Sequence, residues 1–216
     1  MTINKTYAVF GLGRYGLSVA EELVNAGAEV LAIDINENTV NDAIEFIPYC
    51  KCADVTDADV IKQLGVSNID VVIIAMAGSL EASVMSTMLC KEAGVETVIV
   101  KCANEMHKKI LTKVGADVVV FPENESGIRL AKNLLSSGFI DIVELSKDVS
   151  MFEMKVKDEW VGKNLITLDL RKKHGINVVA LCRNEDVTTE INPTMPLEKG
   201  MRLIVVANGE KLRKLK

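Results

Sequence analysis

Short runs of Val, Ile and Ala, separated by segments of helical spacing, constrain this chain more than any other feature. Tyr7–Phe10, Glu29–Asp34, Pro48–Cys52, Ile69–Ala75, Val95–Lys101 and Asp117–Phe121 read as strands. Between and after them, Leu17–Ala26, a segment from the candidate N-cap Asn36 to about Phe46, Asp57–Leu64, Leu80–Ala93, Glu105–Val114 and Asn124–Leu135 read as helices. Strands that are apolar throughout, rather than at alternate positions, are covered on both faces, so the spacing predicts a parallel sheet between two layers of helices. Right-handed crossovers make such a sheet doubly wound. The alternation stops at Ser136-Ser137-Gly138. Beyond it Ile140–Leu145, Met151–Val156, Val178–Cys182 and Arg202–Val206 read as strands, with one helix near Leu168–His174. The expected organisation is therefore an α/β domain over residues 1–138 and a small α+β domain over residues 139–216.

The totals agree. Apolar residues make up 49% and aromatic residues only 4%, a core of Val, Ile, Leu, Ala and Met. A net charge of −5 argues against a nucleic-acid partner, which requires a basic face. The five cysteines, Cys50, Cys52, Cys90, Cys102 and Cys182, form no CxxC pair and read as buried reduced thiols. No signal peptide or membrane-length apolar run is evident, so a cytoplasmic protein is expected.

One loop carries chemistry. Gly11-Leu12-Gly13-Arg14-Tyr15-Gly16 follows a strand and opens a helix, the context in which such glycines bind a nucleotide pyrophosphate. Gly11 permits the turn, Gly13 lets the backbone approach the phosphates, and Gly16 lets helix and sheet pack closely. The helix N-terminus adds free N–H groups and the positive end of a dipole. Asp34 ends the second strand about 20 residues on, where a carboxylate accepts from ribose hydroxyls and repels a 2′-phosphate. Together these features define a Rossmann-type fold.

Other groups fall at the same strand ends. Arg14 either pairs with phosphate oxygens or reaches a surface carboxylate. Asp54, followed by Val55, either meets an adenine edge or caps the next helix. Ala77-Gly78 is small enough to admit a nucleotide, or is an ordinary turn. Lys101 stands where it can neutralise a terminal phosphate. Glu123 is either a favourable acid at a helix start or one ligand of a cation bridging to phosphate. The stretch Val84-Met85-Ser86-Thr87-Met88-Leu89 reads as core or subunit contact, and His107 and His174 as surface residues. No catalytic set can be assembled, so no enzymatic activity is expected.

The segments GLGRYG, AIDIN, CADVTD, IVKC and GADVVVFPENESG together resemble the regulatory subunits of Trk/Ktr potassium-uptake systems, which join an RCK N-terminal to an RCK C-terminal domain. The resemblance covers essentially the whole chain. It implies a nucleotide site for ATP, ADP or NAD(H) at Gly11, Gly13, Arg14, Tyr15, Gly16, Asp34, Asp54, Val55, Ala77, Lys101 and Glu123, with Mg2+ or another divalent cation at Glu123. It implies dimers assembled into an octameric ring beneath a membrane-embedded potassium translocation subunit, with the protein peripheral to the inner membrane face. The stretch from Gly162 to Val178 resembles the RCK C-terminal signature, which implies a cyclic di-AMP site at Leu165, Ile166, Arg171, Asn177, Val178 and Pro193. A free-standing nucleotide or redox sensor and an NAD-dependent oxidoreductase are the alternatives, since the fold alone does not decide between them.

Overall fold

The computed structural model describes residues 5–135, 139–146, 149–184 and 186–208. The chain divides into two compact units, Met1–Glu123 and Asn124–Lys216. The boundary expected at Ser136-Ser137-Gly138 lies outside the described residues. The units divide earlier, so most of the helix that precedes that point is grouped with the second unit.

The first unit alternates strand and helix throughout: β1 (Thr6–Phe10), α1 (Arg14–Asn25), β2 (Glu29–Asp34), α2 (Glu37–Ala43), β3 (Tyr49–Cys52), α3 (Ala58–Gln63), β4 (Val71–Ile74), α4 (Leu80–Glu92), β5 (Thr97–Lys101), α5 (Glu105–Val114) and β6 (Val118–Val120). A further helix, α6 (Pro122–Leu135), begins at the boundary. The six strands are all parallel, in the order β3-β2-β1-β4-β5-β6. This is the doubly wound order, and it reverses between β1 and β4, where such sheets hold ligands beyond their carboxyl ends. One apolar layer contains Phe10, Ile33, Val72, Ile74 and Val98; the other contains Val9, Val30, Ala32, Val71 and Ile73. Both faces of the central strands are thus covered, as their continuous apolar runs require.

Helix α4 departs from the expectation for its methionines. Ser83, Ser86, Thr87 and Cys90 are buried, whereas Met85 and Met88 are 41% and 42% exposed. The inward hydroxyls are satisfied locally: Ser83 donates to the Met76 and Ser79 carbonyls, Thr87 to that of Ser83, and Ser86 to that of Val55. Small side chains there let the helix lie close to the sheet. Within the stretch Val84 and Leu89 pack against the core, and only the two methionines stand outside it.

The second unit contains a five-stranded antiparallel sheet ordered β10-β9-β11-β8-β7, from β7 (Phe139–Glu144), β8 (Val149–Lys155), β9 (Asn177–Arg183), β10 (Asp186–Thr188) and β11 (Arg202–Asn208). Its core gathers Phe152, Met154, Leu181, Leu203 and Val205. The single helix expected near Leu168–His174 is two short ones, α7 (Leu165–Leu168) and α8 (Leu170–His174). Asp169 between them is left-handed, with φ 47°, and breaks the run. Among the described residues no helix is long and apolar enough to cross a membrane.

Candidate functional site

The loop after β1 is shaped by its own backbone. Gly11 has φ +88°, which favours glycine, and a Cβ there would stand 2.7 Å from Met76 Cγ. A Cβ on Gly16 would lie 1.9 Å from the Gly11 carbonyl oxygen and 3.1 Å from Ala75 Cβ. At Gly11 the left-handed φ and the Met76 side chain stand against any larger residue, and at Gly16 a side chain would require main chain to move. Gly13 differs: its φ of −65° and ψ of 179° suit any residue, and nothing lies within 4 Å of a Cβ built on it. The protein itself does not require glycine there, and the open space is what a phosphate approaching the backbone would occupy.

The helix that follows is set apart by its first turn. Helices α2, α3, α4 and α5 each have a side-chain cap, from Asn36, Asp57, Ser79 and Asn104, and an acid in the first turn. Helix α1 has neither; its N-cap is Gly13 and its first residue is Arg14. A helix start leaves several amides without intrahelical partners. Here the N-cap Gly13 borders open space and a guanidinium follows it, the reverse of the arrangement at helices α2 to α5.

Asp34 closes the other side of the loop. Its Oδ2 accepts from the Leu12 amide at 2.7 Å, and its Oδ1 from the Asn36 amide at 2.9 Å. Next to it opens a cleft of about 660 Å³, lined by Gly11, Asp34, Asp54, Val55, Ala77 and Gly78 among others. Asp54 does not cap the following helix, because Asp57 does. Its carboxylate instead accepts from the Thr56 hydroxyl at 2.6 Å and the Thr56 amide at 2.9 Å, and these bonds hold it below the usual carboxylate range. The polar edge that Asp54 offers is thereby fixed in direction.

A second group gathers beside the α1 N-terminus. Lys101 Nζ bonds Glu123 Oε1 at 2.5 Å and sits 5.3 Å from the centre of the Tyr15 ring. The Lys101 bond holds the Glu123 carboxyl below its usual range, and the Arg14 charge lowers it further. Arg14 is exposed, and no ion pair is formed by it among the described residues. The expected site residues thus fall into two neighbouring sets, one lining the cleft and one of charges around α1. Met76, beside Ala77 just beyond the end of β4, lines the cleft as well, and Thr56, Ile35 and Met85 do so without having been anticipated. Thr56 was detectable, since a hydroxyl two residues after an Asp is the spacing of a local turn. Among the described residues no group of three or more His, Cys, Asp or Glu could hold a metal ion.

In the second unit, Ile166 is 61% exposed and its amide meets the Pro193 carbonyl at 3.4 Å. Arg171, Asn177 and Pro193 are exposed, whereas Leu165 and Val178 pack against the core. Of the cysteines, Cys90, Cys102 and Cys182 are buried as expected; Cys50 is half-buried and Cys52 is exposed, which corrects the expectation for the edge strand β3. Both histidines are half-buried rather than fully on the surface.

The TrkA-N domain model matches residues 7–122, and the TrkA-C domain model residues 149–216. The chain is 38% identical over 206 residues to the Ktr system potassium uptake protein C of Bacillus subtilis, covering 95% of this chain and 93% of that protein. It is 36% identical over 211 residues to the Ktr system potassium uptake protein A of Vibrio alginolyticus, covering 98% and 96%. Among solved structures, the GsuK channel bound to NAD matches with a TM-score of 0.54 at 22% identity, over 98% of this chain. The chain spans 38% of that channel, and the likeness is one of fold.

Proposed function

Since the chain belongs to the TrkA-N/TrkA-C family of Trk and Ktr potassium-uptake proteins, we propose that it is the cytoplasmic regulatory subunit of a potassium transport system, gating a membrane-embedded translocation subunit according to the nucleotide it holds. The observation that carries this reading is the uncapped start of α1: bare amides, open space over Gly13, and Arg14 where the neighbouring helices place acids. The phosphates of ATP, ADP or NAD(H) lie on that turn, the ribose meets Asp34, and the base enters the cleft beside Asp54, Val55 and Ala77.

Lys101 takes the terminal phosphate. In exchange it gives up part of its bond to Glu123, whose carboxylate would be the protein's ligand for Mg2+ or another divalent cation, which would supply further neutralising charge to the nucleotide. Among the described residues no group of three or more His, Cys, Asp or Glu surrounds Glu123, so the cation would be held jointly with nucleotide and not by the protein alone. The fold binds and reports; no reaction is assigned to it. Gating follows if the nucleotide has different affinities for two arrangements of an assembled ring, since a ligand that binds both equally shifts neither. We assign homodimers within an octameric ring as that assembly, and Ile166, Arg171, Asn177 and Pro193, with Leu165 and Val178 behind them, as a cyclic di-AMP site.

Calorimetry of the purified chain with ATP, ADP, NADH and cyclic di-AMP, with and without magnesium, tests the reading. At least one adenine nucleotide should bind, and Lys101→Met should weaken ATP by roughly tenfold, the loss of one charge-assisted bond, while leaving adenosine unchanged. Absence of affinity for every adenine nucleotide rejects it.

A further inference from the structure

We infer that Asp34 is a positioning residue for the phosphates as well as a partner of the sugar, because its carboxylate sets the direction of the glycine loop. This rests on the nucleotide-binding reading above. The end of β2 holds two consecutive loop amides: the Ile33 carbonyl accepts from Gly11 at 2.8 Å, and Asp34 Oδ2 accepts from Leu12 at 2.7 Å. Leu12 is itself buried, so the loop is gripped on side chain and main chain at one residue. The Gly13, Arg14 and Tyr15 amides come next. With Leu12 N–H turned toward β2, the following amides are committed to the open side.

Asp34 is in turn anchored. Its Oδ1 accepts from Asn36, and its own carbonyl accepts from Ala53 on the way out of β3. An ionised carboxylate offers about four acceptor positions. Two are used by Leu12 and Asn36, and the remaining two suffice for two ribose hydroxyls. One side chain can therefore engage the sugar without releasing the loop.

The sign of the effect separates this role from plain electrostatics. Removing a negative charge beside an anionic ligand should tighten phosphate binding. Removing the group that orients the loop should weaken it. The probe is 2′,3′-dideoxy-ATP, which has no ribose hydroxyl for Asp34 to accept from. We expect Asp34→Ala to bind it roughly tenfold or more weakly than the wild type, the loss of one hydrogen bond to a charged group. Asp34→Asn keeps one carbonyl oxygen and should lose less. It also carries the comparison if circular dichroism shows that the alanine variant has not folded.

Equal or tighter binding of dideoxy-ATP by the folded variant, with only ATP weakened, would assign Asp34 to the sugar alone and overturn the inference. A wild-type chain that binds neither nucleotide would reject the binding reading itself, which is a distinguishable result.

Discussion

The second and third glycines of the loop should separate binding from folding. Gly13→Ala places a methyl where nothing of the protein lies within 4 Å, at a φ of −65° that alanine adopts freely. Restricting the unfolded chain stabilises by about 0.4–1 kcal/mol. Losing glycine at an N-cap costs a similar amount, roughly 0.5–1 kcal/mol. The two offset, and the net change should stay within about 1 kcal/mol, or roughly 2–4 °C in Tm for a chain of this size. Gly16→Ala instead drives a methyl to 1.9 Å from the Gly11 carbonyl oxygen, with Ala75 Cβ at 3.1 Å behind it. Main chain must shift, so the cost should reach or exceed the roughly 3 kcal/mol upper end of ordinary overpacking. That corresponds to a drop of about 6–12 °C. Thermal unfolding followed by circular dichroism reads the stability, and calorimetric titration with ATP reads the binding. Gly13→Ala should keep its Tm and lose at least about tenfold in affinity, since its methyl occupies the phosphate approach. A Gly13→Ala variant with undiminished affinity, or a Gly16→Ala variant as stable as the wild type, would refute this division of labour.

Two further outcomes follow from side-chain environments. Cys52 is exposed and Cys90 is buried, its thiol pushed up to about 12 by desolvation, so a thiol reagent at pH 8 should label Cys52 in the folded chain and Cys90 only on unfolding; mass spectrometry of the time course decides, and early labelling of Cys90 would be incompatible with this packing. The Thr6 amide, and then its hydroxyl, bond the Asp70 carboxylate and hold it below the ordinary range. A folded-state value below the unfolded one, about 3.9, gives a contribution complete above that pH and lost as pH falls through the folded value. Asp70→Asn should therefore flatten the acid limb of stability against pH in denaturant titrations, and an unchanged limb would show that the bond contributes nothing.

The α/β unit was legible because its signal is physical and local. Val71–Ile74 and Val98–Val100 can be apolar throughout only if both faces of the strand are covered, and α5 begins and ends where the Asn104 cap and Gly115 demand. What escaped has equally specific causes. Strand β10 is three residues long and exposed at each, so it carries no apolar period to read. The break between α7 and α8 depends on a left-handed Asp169, a conformation that aspartate tolerates but that no spacing announces. Helix α4 inverts the usual rule because hydroxyls that bond neighbouring carbonyls cost little to bury, while methionine is at ease half-exposed.

The site divides along the same line. Glycines and a strand-end acid are visible because the backbone needs them at fixed offsets, and Gly11, Gly16 and Asp34 stand where those offsets place them. Pairings across the fold are another matter. Lys101 and Glu123 lie far apart in sequence, and each invites a ligand when read alone; together they neutralise one another, with Tyr15 alongside the ammonium. A binding charge that already has a partner is not a weaker site but a conditional one. Its ligand must offer more than the partner does, and a terminal phosphate carrying more than one negative charge can outbid a single, mostly exposed carboxylate where a neutral or singly charged group cannot. Discrimination of ATP and ADP, which end in such a phosphate, from NAD(H), whose bridging phosphates carry one charge each, would then come from the Glu123 bond as much as from Lys101. Glu123→Gln should accordingly raise affinity for adenine nucleotides in the absence of magnesium while narrowing the difference between ADP and NADH, and a difference left at its wild-type width would place the discrimination elsewhere.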